Sequence, residues 1–170
     1  MVALGLGSAA RAEDLELAVK AAYLYKLAPF VDWPPGALDP QGPFNLCVVG
    51  RDPFGSVLDR AVAGQVIGGR PIAVRRLRTI DKGSGCQLAF LAGSPAQSVK
   101  DGLHALQGAP VLTVTDGAAA PGIVDLVLSG GRVRFRIDDE TARASRLAIS
   151  SKLLSLAVSV TSKPGLRAGA

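Results

Sequence analysis

"FNLCVVGRDPFGSVLDRAVAG" (44–64) changes character half-way along. Residues 44–50 form a short, unbroken apolar run, which predicts a buried strand. After Arg51-Asp52-Pro53, residues 54–64 predict a brief helix ending on Gly64, since glycine tolerates the left-handed backbone that closes a helix. The alternation recurs downstream. "CQLAFLAG" (86–93) predicts a second buried strand, "PAQSVKDGLHALQG" (95–108) a helix with Pro95 in its first turn, and "APVLTVTD" (109–116) a third strand. Two hairpins complete the pattern. "QVIGGRPIAVRRL" (65–77) turns on Gly68-Gly69, and "GIVDLVLSGGRVRFRID" (122–138) turns at Ser129-Gly130-Gly131. Strand–helix alternation with hairpins predicts an α/β fold: a single-domain sandwich of a mixed β-sheet flanked by helices.

Outward from this centre, residues 14–30 predict a helix capped by Asp14, with Leu17, Ala21, Leu24 and Ala28 in one stripe. Trp33-Pro34-Pro35 stops it. At the other end, residues 139–160 predict one closing helix whose Leu147, Ser151, Leu154 and Val158 face the core. "GLGSAARAED" (5–14) admits two readings. A dinucleotide-binding glycine loop needs a preceding strand, and only four residues precede Gly5. Ala10-Arg11-Ala12 instead fits a signal-peptidase site, with cleavage after Ala12. On that reading residues 1–12 are a signal-peptide remnant, 13–160 the α/β domain and 161–170 a flexible tail.

Composition agrees with one soluble, exported domain. Of 170 residues, 48% are hydrophobic and 19% charged, ordinary values for a globular chain. No apolar run after residue 12 approaches the roughly 18 residues a spanning helix needs. Net charge is +5, falling to +4 without Arg11, which favours an acidic partner or a membrane surface over an acidic substrate; nucleic acid would be an odd ligand for an exported protein. The two cysteines, Cys47 and Cys86, each sit in an apolar run. In a reducing compartment they read as inert core residues. In an oxidising one they read as a disulfide, closing about 40 residues and worth about 4 kcal/mol in chain entropy.

Signals for chemistry are sparse. His104 is the sole histidine and sits mid-helix, where it reads as a surface or half-buried residue. No nucleophile elbow, phosphate loop or metalloprotease motif occurs, and two cysteines with one histidine are too few for structural zinc. Asp138, Asp139 and Glu140 read as the acidic start of a helix. The expectation is therefore a non-enzyme, with no catalytic residues, cofactor or metal. Gly50-Arg51-Asp52, Gly93-Ser94 and Thr115-Asp116-Gly117 stand where doubly wound sheets bind small molecules; the simpler reading is turn and cap formation. In "RVRFRI", Arg132, Arg134 and Arg136 alternate with Val133, Phe135 and Ile137, placing three arginines on one strand face. That face reads either as solvated edge protection or as a docking surface for an acidic partner. Arg75, Arg76 and Arg78 add charge on the other hairpin. Tyr23, Tyr25, Phe30 and Trp33 gather half of the chain's eight aromatics, as core packing or as a ligand or partner cluster.

In order along the chain, "VKAAYLYKLAPFVDWP", "LCVVGRDPFG", "GGRPIAVRRL", "CQLAFLAG", "PVLTVTD", "GGRVRFRID" and "ISSKLLSLA" resemble the YfiR-like family of exported bacterial proteins, from about Leu17 to Val158. The resemblance implies a periplasmic location, an α/β sandwich that dimerises, and a non-enzymatic regulatory role. The family's founding member restrains a membrane-bound diguanylate cyclase through its periplasmic part, under redox modulation. The resemblance also implies that Cys47 and Cys86 pair. Two features depart from it: no cysteine follows Cys86 to form the second disulfide, and Arg136 replaces an expected acidic residue.

Overall fold

The computed structural model describes residues 6–162. α1 (Leu6–Lys26) leads through a single 3-10 turn, Ala28–Phe30, into β1 (Val31–Asp32). There follow β2 (Phe44–Gly50), α2 (Ser56–Val62), β3 (Val66–Ile67), β4 (Arg70–Leu77), β5 (Leu88–Gly93), α3 (Val99–Ala105) and β6 (Leu112–Asp116). The chain closes with β7 (Val124–Ser129), β8 (Arg132–Asp138), α4 (Asp139–Ala144), β9 (Ala148–Ile149), α5 (Ser151–Leu156) and β10 (Ser159–Thr161). Eight strands form one mixed sheet in the order β10-β8-β7-β6-β5-β2-β4-β3, while β1 and β9 pair separately. The α/β fold class read from the sequence holds.

The sheet centre is parallel. β2 lies between β4 and β5, and β5 pairs with β6. Leu46, Val48, Leu88, Phe90, Leu112 and Val114 face the larger core, closed by α1 and α2. Cys47, Val49, Ala89 and Leu91 face the opposite layer, where α3 packs. Helices following adjacent strands β2 and β5 thus lie on opposite faces. The Cys47–Cys86 disulfide joins β2 to the approach of β5 within the α3 layer, its Cα atoms 6.0 Å apart and both residues buried.

Three expectations are corrected. Asp14 does not cap the first helix, because Leu6–Lys26 runs unbroken through Ala10-Arg11-Ala12, and Asp14 lies inside it. The small and alanine-rich residues there are good helix formers, and Gly7–Leu15 remain exposed. Pro95 does not open α3. It sits in a turn closed by Ser94–Gln97 backbone hydrogen bonds, and Ser98 caps the helix by accepting from the Asp101 amide.

The single closing helix 139–160 is two helices and two strands. Asp138 caps α4, its carboxylate accepting from the Thr141 amide, so the acidic cluster does open a helix. α4 then ends in a Schellman closure: Leu147 N donates to Ala142 O and Arg146 N to Arg143 O. Arg146 takes the left-handed conformation, φ 60°, where glycine is usual. Ser150 caps α5 by accepting from Leu153 N. Of the proposed stripe, Leu147 is buried, whereas Ser151 and Val158 are exposed. The expected flexible tail begins at Thr161, which belongs to β10; its residues 163–170 lie outside the described part.

Candidate functional site

β8 alternates as its sequence requires. Val133, Phe135 and Ile137 are buried, while Arg132, Arg134 and Arg136 are exposed. Tyr23 of α1 sets its ring edge against Phe135, centroids 5.7 Å apart, and its hydroxyl donates to Val133 O at 3.3 Å. β10 pairs with β8 only over Arg136–Asp138. Val158 N donates to Phe135 O, so the odd residues of β8 turn their backbone groups away from β7. From Val133 back to Arg132 no strand among the described residues pairs with this edge.

α5 supplies the facing wall. β1 pairs with β9, and Ser150 N donates to Phe30 O, which places Phe30 beside the start of α5. Between α1, α5 and the free part of β8 lies a groove of about 670 Å³. Its apolar lining includes Val19, Ala22, Tyr23, Phe30, Val133 and Leu156; its charged lining is Lys26, Arg132 and Arg134. Lys152 Nζ stands 5.8 Å from the Phe30 ring centre. Among the described residues, no acidic side chain lines the groove. The surface is apolar at its floor and cationic at its rim, suited to an acidic partner with apolar anchors.

Two separate sequence features, the aromatic cluster and the arginine strand, therefore meet, but only in part. Tyr23, Phe30, Arg132 and Arg134 line the groove. Arg136 instead borders a hollow with Pro121, Asp138 and Ser159, beside β10. Tyr25 points away from Tyr23 by helix geometry and packs on the core with Lys26 Nζ 6.0 Å from its ring. Trp33 meets Phe44 edge-on at 5.4 Å, and its buried indole N–H has no acceptor.

Among the described residues, ion pairs involve Lys20, Arg76 and Arg143, not the β8 arginines. Arg76 is clamped: it bonds Asp59 and Asp52, both at 2.7 Å, and its guanidinium is held above its usual range, chiefly by Asp59. It is thereby removed from docking. His104 is exposed on α3, as expected.

The sequence reading missed Lys26 as a groove residue, and it missed Leu153 and Leu156 because it merged α5 into one long helix. The signal was present: Ser150 stands three residues before Leu153, the spacing of an N-cap and the amide it accepts from.

A model of the YfiR/HmsC-like family matches residues 17–158. The chain belongs to the YfiR/HmsC-like family. The matched span contains α1 from Leu17 onward, the whole sheet except β10, and α2 to α5. The YfiR/HmsC-like assignment is consistent with a periplasmic regulator rather than an enzyme, and the Cys47–Cys86 bridge fits it. No helix among the described residues is long and apolar enough to cross a membrane. No curated protein matches the chain at a significant level.

Proposed function

We propose that this YfiR/HmsC-like protein is exported to the periplasm, with cleavage after Ala12, and restrains a membrane-bound signalling enzyme such as a diguanylate cyclase. It does so without catalysis of its own. The observation carrying this reading is the groove, which brings together an apolar floor and three cations that make no ion pair among the described residues. A partner segment laid there would gain side-chain burial against Phe30 and Leu156 and attraction from Arg132, Arg134 and Lys26. Restraint requires that the partner's inactive state bind more tightly than its active state, because equal affinity shifts nothing. Redox modulation would act through Cys47–Cys86, and the protein is proposed to work as a homodimer, checked by sedimentation velocity.

Site-specific photocrosslinking in the periplasm tests the reading. A crosslinker at Leu156 or Arg134 should capture a membrane protein carrying a cyclase or kinase domain, while one at His104, on the opposite layer, should not. Arg132→Glu with Arg134→Glu should abolish capture and raise cyclic-di-GMP. Equal capture from all three positions, or capture indifferent to the charge reversal, would remove the groove from the account.

A further inference from the structure

A second concavity lies at the carboxyl ends of the central strands, away from the groove. β2 and β5 are parallel neighbours, yet the connection from β2 runs through α2 on one face and that from β5 through α3 on the other. The backbone therefore parts beyond Arg51, once its amide has bonded the end of β5, and small ligands of doubly wound sheets bind in such a gap. Here it is a cleft of about 950 Å³.

Two glycines shape its entrance. Gly50 ends β2 at φ 90°, and a Cβ there would fall 2.4 Å from Gly93 O. Gly93 ends β5 at φ 75°, and its carbonyl accepts from Arg51 N at 3.1 Å. The strand ends consequently touch backbone to backbone, and the next residue, Arg51, is delivered to the cleft wall.

The lining has one sign. Arg51 and Lys100 face the cleft, and neither takes part in an ion pair among the described residues. The one carboxylate in the lining, Asp116, is bound by Lys20 at 2.7 Å. Burial alone would lower the Lys20 ammonium, but its bonds to Asp116 and Glu16 outweigh that and raise it, so the neutralising charge persists. Ser98, whose oxygen already accepts from Asp101 N, presents its O–H. Pro53 and Ala118–Ala120 form an apolar side.

We propose that this cleft binds a small organic anion whose acid group lies between Arg51 and Lys100 and whose apolar body lies against Pro53 and the Ala118–Ala120 loop. Two cations outside any ion pair among the described residues, next to an apolar wall, favour such a molecule over a free inorganic ion, which would leave the wall uncovered, and over a neutral apolar one, which would leave the cations unanswered. This site is independent of the groove, so it stands or falls separately from the regulatory reading.

Amide chemical-shift titration of the full chain with phenyl phosphate, with phenol and inorganic phosphate as comparison probes, tests it. A ligand of this size should saturate in the millimolar range. Shifts should map to Arg51, Ser98, Lys100 and Ala118–Ala120, and both comparison probes should bind more weakly. Arg51→Gln with Lys100→Gln alters only exposed side chains and should weaken phenyl phosphate about tenfold or more. Ala119→Trp, filling the apolar side, should weaken it with the cations intact. The proposal is overturned by the absence of saturable shifts at these residues, by phenol binding as well as phenyl phosphate, or by affinity unchanged in the double variant.

Discussion

Thr115 holds the loop that walls the anion cleft, and removing its hydroxyl gives a quantitative test of how that loop is fixed. Thr115 is fully buried in β6. Its O–H donates to Asp125 Oδ1 at 2.6 Å, and its oxygen accepts from Gly122 N at 3.0 Å. Asp125, itself buried, also accepts from Ala118 N at 3.3 Å, while Thr113 accepts from Ile123 N at 2.9 Å. Both ends of the 117–123 connection thus hang on β6 and β7 side chains. Thr115→Val keeps the shape but orphans the Gly122 amide and strips one hydrogen bond from a buried carboxylate. An orphaned buried group costs about 1–3 kcal/mol, and a bond to a charged acceptor about 1.5–3 kcal/mol, so the variant should lose about 3–5 kcal/mol. Thr115→Ser retains both bonds and should lose only about 1 kcal/mol for the missing methyl. Urea unfolding measures both variants, and hydrogen exchange at the Gly122 and Ala118 amides localises the effect. A valine variant within 0.5 kcal/mol of the parent, or a serine variant worse than the valine, would refute the reasoning.

Three further outcomes are expected. Cys47→Ala with Cys86→Ala opens a bridge spanning 39 residues and should cost about 4 kcal/mol in urea unfolding, on chain entropy alone. Gly50→Ala must place a methyl against the Gly93 carbonyl in a left-handed backbone; a loss of about 3 kcal/mol or more is expected, and a melting temperature unchanged by the substitution would contradict the close approach. The Asp59 carboxyl is held below its ordinary value chiefly by its hydrogen bond to Arg76. Its contribution is therefore present above the unfolded value, near pH 4, and disappears as pH falls through the folded one. Because the pair is exposed, Asp59→Asn should cost under about 1 kcal/mol at pH 7 and progressively less as pH falls below the unfolded value.

How much of this was legible depended on whether a signal was local. The parallel strands showed as continuous apolar runs because both sheet faces are covered, and the two hairpins showed through Gly68-Gly69 and Gly130-Gly131, all four at positive φ. The break after α4 did not show. A Schellman closure usually announces itself with glycine, and here Arg146 occupies that position inside a plausible helical period. The groove suffered from the same omission, since one wall is α5. Tyr23, Phe30, Arg132 and Arg134 were named, but their meeting depends on α1 crossing β8 and on β10 stopping short of Val133, which no local pattern encodes. Of the strand-end residues read as turn formers, Arg51 and Asp116 come to line one cleft only because the connections leave β2 and β5 on opposite faces.

The cross-link between residues 47 and 86 also divides the chain mechanically. Inside the closed ring lie α2, β3 and β4, and outside it lie α1, β8 and α5. Force applied through segments flanking the ring can peel away the groove elements, yet it cannot lengthen the enclosed stretch. That stretch hides about 130 Å of contour, so the molecule under tension would stop extending short of its full length while the bridge survives.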